Sequence, residues 1–133
     1  MAVVTTVYPA AKQLLLSGQV DLDSDTLKVM LLDDTGSYSA EDTALADVSS
    51  AEITGTGYTA GGETITGLTA SESDGTATLS ADDVTWTGAS FSTYNAVLYT
   101  GTDLVCHIDF NDEQAPSSED FILEFPGGLL GLV

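Results

Sequence analysis

Asp21, Asp23 and Asp25 have the alternate-residue spacing that opens a calcium loop, where carboxylate oxygens converge on a hard cation. The rest of an EF-hand loop is missing. Its sixth position is Thr26, where the turn needs glycine, and its twelfth is Leu32, where a bidentate glutamate belongs. The three aspartates therefore read as a solvated turn, with a calcium site of another kind as the alternative. Cys106 and His107 are adjacent in a predicted strand, so they point to opposite faces and cannot share a metal. They are the only cysteine and the only histidine, too few for a zinc set. A lone cysteine forms no intrachain disulfide, and Cys106 reads as a small buried hydrophobe. Asp33/Asp34 and Asp82/Asp83 are sequential pairs, whereas glycosidase carboxylates come from separate segments facing one cleft. No Gly-x-Ser-x-Gly elbow is present. These spacings predict no enzyme and no cofactor.

Residues 55–62, Gly-Thr-Gly-Tyr-Thr-Ala-Gly-Gly, hold glycines at Gly55, Gly57, Gly61 and Gly62. That density demands positive φ or close backbone approach. A phosphate cradle would need a strand before it, a helix after it and usually a lysine. No lysine is near, and residues 63–68 alternate as a strand does. The segment reads as a structural turn with Tyr58 as its packing anchor.

The elements around these residues are short and mostly extended. Pro9 suits the first turn of a helix, residues 10–16 propagate it with Lys12 exposed and Leu14 to Leu16 partly buried, and Ser17-Gly18 ends it. Two turns are marginal alone, so this helix must dock. Residues 26–32 form a strand. Residues 42–48 read as one helical turn with Ala44, Leu45 and Val48 inward, or as a loop, and 52–54 as a short strand. Residues 71–75 read as a turn and 76–79 as a strand. Val84 and Trp86 alternate with Thr85 and Thr87, then Gly88-Ala89 interrupts. Ala96-Val97-Leu98 is apolar on both faces, as in a central covered strand. Residues 100–103 turn, 104–110 return as its partner, 111–120 read as an acidic loop and 121–125 as a last strand. About eight strands and one short N-terminal helix predict a mainly β chain. We expect a single antiparallel β-sandwich or jelly-roll-like domain over 1–133. Residues 1–8 form a short strand or an extended arm, and the apolar stretch 129–133 must be buried in the domain or against another subunit.

Charge narrows the partners. Twenty-one acidic residues face Lys12 and Lys28, with no arginine, for a formal net charge of −19. Phosphate backbones and anionic membrane surfaces are repelled, so neither nucleic acid nor membrane is expected as a partner. Self-repulsion is screened in molar salt, where the Debye length is about 3 Å. A halophilic source is the preferred reading. A divalent-cation-loaded protein and an acidic patch for a basic partner are the alternatives. The N-terminal stretch lacks a basic, then apolar, leader pattern, and no apolar run approaches the ~20 residues of a membrane span. The expectation is a chain made in the cytoplasm.

Several pieces, in order, resemble a family of small structural proteins of tailed phages and tailed archaeal viruses. They are Leu14-Leu15-Leu16-Ser17-Gly18, Val20-Asp21-Leu22, residues 25–31, the glycine-rich 55–62, residues 82–86, Ala96-Val97-Leu98-Tyr99, Phe121-Ile122-Leu123 and Gly127-Gly128-Leu129-Leu130. The order together with the glycine-rich segment carries the likeness, which spans nearly the whole chain. Where the family's hairpin often has a Ser-Pro-Leu-type segment, this chain has Thr102-Asp103-Leu104-Val105.

The resemblance implies a non-enzymatic, β-rich, oligomeric virion component, with no catalytic residues to carry over. It points first to a capsid decoration or vertex-turret protein of a tailed virus infecting a halophile, located in the virion. Its partners would be other virion proteins and further copies of itself. A tail tube, tip or baseplate component is the second reading. The interface candidates are Val3, Val4, Val7 and Tyr8 at one end and Leu129, Leu130, Leu132 and Val133 at the other. A third reading is a carbohydrate- or cation-binding β-sandwich module using Tyr38, Tyr58 and Tyr94, although these tyrosines also suit core or interface positions.

Overall fold

The computed structural model describes residues 4–22, 24–125 and 128, together with the backbone of residues 130–132. Its centre is an antiparallel trio. Strand β2 (Lys28–Leu32) pairs with β7 (Thr93–Thr100), which pairs with β8 (Asp103–Gln114). Their alternation explains the layers. Val29 and Leu31, Ala96 and Leu98, and Cys106, Ile108 and Phe110 all turn to one face. There they meet Leu79, Val84, Trp86, Phe121 and Leu123 from the opposing sheets. Met30, Leu32, Val97 and Tyr99 turn to the other face and meet Tyr8, Ala11, Val48 and Ala51. The trio is thus buried on both sides, as the apolar run 96–98 predicts.

Short elements complete it. Strand β1 (Val4–Val7) adds to β8, and β3 (Glu63–Thr64) adds to β2, giving the order β1-β8-β7-β2-β3. The second layer holds two small sheets. One is β10-β5-β4, from Leu130–Leu132, Thr76–Ser80 and Thr69–Ser73; the other pairs β6 (Val84–Ser90) with β9 (Ser117–Leu123). The chain is mainly β with antiparallel pairing throughout, consistent with the expected β-sandwich. Phe121 is the aromatic hub of the core, with ring centroids 5.6 Å from Trp86, 5.7 Å from Phe91 and 6.1 Å from Phe110. Such tilted and edge-on pairs add about 0.5–1.5 kcal/mol each beyond burial. Helix α1 (Pro9–Leu16) begins on Pro9 as predicted, packs along β8 and buries Ala11 in the second core. No described helix is long and apolar enough to cross a membrane.

Several expectations need correction. Residues 111–120 are not a loop: β8 runs to Gln114 and β9 starts at Ser117. The register jumps from Thr93↔Gln114 to Asn95↔Asp109, so β8 bulges where Asn111 takes φ 67. That bulge lets a polar sequence stay extended. Residues 71–75 are mostly strand, with the turn confined to Asp74 and Gly75 at φ 52 and 83, the mirror-type hairpin turn. Strand β6 continues through Gly88-Ala89 with a bulge, and the Gly88 N–H donates to Asp120 Oδ1 at 3.1 Å. Beyond Thr64 the alternating 63–68 segment is not strand, and 52–54 makes a single bridge, Leu32↔Glu52. Leu14 and Leu15 are partly buried as expected, but Leu16 is 91% exposed, because it stands off the helix face that carries Ala11, Leu14 and Leu15.

Candidate functional site

The outer face of the large sheet is only half covered. Helix α1 and two 3₁₀ turns (Leu45–Asp47 and Ser49–Ala51) close its apolar half. The other half, over β1, β8 and the start of β7, forms a groove of about 390 Å³. That is within the usual size range of small-ligand sites, about 300–1,000 Å³. His107, Asp109 and Asn111 reach it because they alternate with the core-facing Cys106, Ile108 and Phe110. Its far wall is the loop after β2, carrying Asp34 and Tyr38.

That loop is held by hydrogen bonds. Asp33 Oδ1 accepts from the Thr35 N–H at 2.8 Å, and Gly36 N–H donates to Asp33 O at 3.1 Å. Both amide hydrogens of the buried Asn95 are committed, to Asp33 O at 3.1 Å and to Gly36 O at 3.2 Å. Gly36 must be glycine for this approach, since a Cβ there would stand 2.8 Å from both Asn95 Oδ1 and Leu32 Cβ. Asn95 Oδ1 is left to accept, and His107 Nε2 lies 3.1 Å from it, so Nε2 carries the proton. In the neutral ring Nδ1 is then the acceptor. Burial holds His107 below the ordinary imidazole pKa, opposed by Asp109 and Asp42. Tyr38 lies against Tyr8 at 5.2 Å and against His107 at 6.1 Å, 37% exposed. Tyr94 stands at the groove near Asp34 and Glu113; desolvation first, then these carboxylates, raises its phenol pKa. Asp109 and Asp112 complete the rim, and Asp109 Oδ1 accepts from the Asn111 N–H at 2.8 Å.

Comparison with protein families, with curated proteins and with solved structures returns no match.

The sequence-predicted sites fall elsewhere. Asp21 and Asp25 close a turn on themselves: Asp21 N–H donates to Asp25 Oδ2 at 2.9 Å, and Asp25 N–H donates to Asp21 O at 2.7 Å. Asp23 lies outside the described residues, among which no three His, Cys, Asp or Glu side chains are placed to hold a metal. Cys106 is fully buried, which pushes its thiol pKa up. Tyr8 is not available to a partner. It is 0% exposed in the second core, because β1 pairs with β8 and turns it inward. Val7 is half-buried against both cores and Val4 is 54% exposed. Leu130 and Leu132 lie on β10, in register with Leu79 and Ala77 of β5. Val3, Leu129 and Val133 lie outside the described residues.

The glycine-rich segment is a clamp on β2. Tyr58 OH donates to Glu52 Oε2 at 2.7 Å and accepts from the Leu31 N–H at 3.3 Å. The Gly61 N–H donates to the same Glu52 oxygen at 2.6 Å. Tyr58 is thus an internal anchor, while Tyr38 and Tyr94 come together at the groove. Its carboxylates and His107 form no motif because they come from two separated segments, the loop after β2 and β8. Their available signal was the outward alternation of His107, Asp109 and Asn111 on β8.

Proposed function

We propose that this chain is a non-enzymatic structural component of a virion. In this reading it is a capsid decoration or vertex-turret protein of a tailed virus infecting a halophile. The observation that carries the reading is where the resembling residues sit. Gly55 to Gly62 clamp β2, Trp86 and Phe121 build the aromatic core, and 96–98 run through the middle of the sandwich. The likeness to virion structural proteins is therefore a likeness in the residues that make the fold. The terminal strands support assembly. Among the described residues, strands β1 and β10 each form the edge of a different sheet and lie against each other, so two sheet edges meet at one place. Edge pairing between copies would build a closed ring, and a ring on a shell lattice gains avidity from repetition.

Sedimentation velocity of the full chain from low to molar salt tests this. A discrete oligomer at molar salt, lost on removal of residues 129–133 while the chain remains folded, is the expected result. A monomer under all conditions that also fails to bind purified capsids would overturn the reading. A tail tube, tip or baseplate role is the variant to separate, and copy number per particle does so. Hundreds of copies mean a lattice decoration; tens or fewer mean a vertex or tail part. The binding-module reading draws its support from the groove, where Tyr38 and Tyr94 stand beside carboxylates.

A further inference from the structure

We propose that the groove over β1, β8 and the 34–38 loop binds an organic cation, an alkylammonium or guanidinium group. The inference stands apart from any role in assembly.

The chemistry of the wall selects the ligand. Every formally charged side chain lining the groove is a carboxylate: Asp34, Asp109 and Asp112. The chain's only cationic side chains besides the histidine, Lys12 and Lys28, are not among the lining residues. An anionic ligand would meet three negative charges and no positive one. A neutral polyol could donate hydroxyl hydrogen bonds to those carboxylates but would leave their charge unneutralised. A cation neutralises them and gains charge-assisted hydrogen bonds. The tyrosines fit the same ligand, since a cation over a phenol face is attracted by the ring quadrupole. The wall is also built, not incidental. His107 is 5% exposed, and Asn95 fixes its proton on Nε2, which leaves Nδ1 as one more acceptor. The acceptors are dispersed: no three carboxylate or imidazole groups among the described residues are placed to share one metal ion. Dispersed acceptors around a groove lined in part by Tyr38 and Tyr94 suit a spread charge with several N–H donors better than a point ion.

The ligand's chemistry has two sources, a free polyamine or a lysine or arginine side chain presented by another protein. An amide proton–nitrogen NMR titration of the full chain separates them, using spermidine for the first and blocked arginine amide for the second. Methyl glucoside serves as the neutral comparison, all at matched ionic strength. The expected result is saturable shifts at residues 34–38, 94–95 and 107–112 with spermidine, arginine amide or both. The tighter ligand identifies the source. Asp109→Asn keeps an oxygen for the Asn111 N–H and should weaken binding by up to about fivefold. Tyr94→Leu should weaken it about twofold or more. Asp83→Asn removes the same charge from an exposed position outside the groove and should leave affinity unchanged.

Equal losses for Asp83→Asn and Asp109→Asn would mean attraction to the general negative field and would overturn the site. Matching shifts with methyl glucoside would overturn the cation in favour of a sugar. No saturable shift with either cation would overturn binding altogether. The dispersion of each variant's spectrum reports whether it is folded.

Discussion

Gly62 has no room for a side chain. A Cβ there would sit 1.7 Å from the Val29 carbonyl oxygen, on a backbone with φ 81. Gly75 has nearly the same backbone, φ 83, but nothing within 4 Å. The pair separates conformational strain from collision. Gly75→Ala should cost about 1–2 kcal/mol, the left-handed penalty alone. Gly62→Ala adds overpacking against β2 and should cost roughly 3 kcal/mol or more. Urea midpoints at constant slope measure both, and similar costs would mean that the clamp on β2 is looser than described. That residues 55–62 need glycine is legible in the sequence; which carbonyl they crowd is not, because the partner lies some thirty residues earlier. His107 gives the second test at this scale. Burial lowers its folded pKa below the unfolded value of about 6.5. Below that pH the unfolded chain takes up the proton first. The histidine's contribution is therefore intact above the unfolded value and is lost as pH falls through the folded one. Stability measured against pH should drop more steeply below about pH 6.5 than it does in His107→Asn. Identical profiles would place the imidazole in water instead.

Helix α1 shows what decides an element's fate in this chain. Pro9 and Ser17-Gly18 mark its ends, and the structure places both ends there. Which face docks was less legible, since Leu14, Leu15 and Leu16 are all apolar. Ala11 is fully buried, Leu14 and Leu15 are partly buried on the same face, and Leu16 stands 91% exposed. Ala11→Leu should overpack the second core under the helix and destabilise by about 1–3 kcal/mol. Leu16→Ser should leave chain stability within about 0.5 kcal/mol. Thermal melts of dilute protein check the two. A large loss for Leu16→Ser only at high concentration would instead mark it as an interface residue. Strands β2, β7 and the first half of β8 are readable because each is a short, near-continuous apolar run, as a strand covered on both faces must be. Strand β4 is not, because all five of its residues are exposed and only backbone pairing to β5 holds them extended. The second half of β8 fails for the same reason: an acidic stretch that pairs through a bulge carries no hydrophobic signal.

At the scale of the whole molecule the charge dominates. The count of −19 is plain in the sequence, but its placement is not. In the structure the core is apolar apart from Thr93, Asn95 and His107, so the carboxylates stand on loops, edges and outward strand faces. Two lysines cannot offset twenty-one acids, and most carboxylates repel one another through solvent. That repulsion acts across the surface at low salt, where the Debye length is about 30 Å at 0.01 M, and fades when it falls to about 3 Å at 1 M. Melting temperature should therefore rise with sodium chloride, by about 4 °C per kilocalorie of repulsion removed in the lower part of the range. Potassium chloride at equal ionic strength should act equally if screening is the cause. Replacing several exposed aspartates, Asp74, Asp83 and Asp120 among them, by asparagine should flatten the dependence while raising the low-salt melting temperature. A melting temperature independent of salt would mean that the carboxylates are too far apart or too well hydrated to strain the fold, and the halophilic reading would lose its physical basis. A dependence that survives the asparagine replacements would instead locate the repulsion in the remaining acids, Asp34, Asp109 and Asp112 around the groove among them.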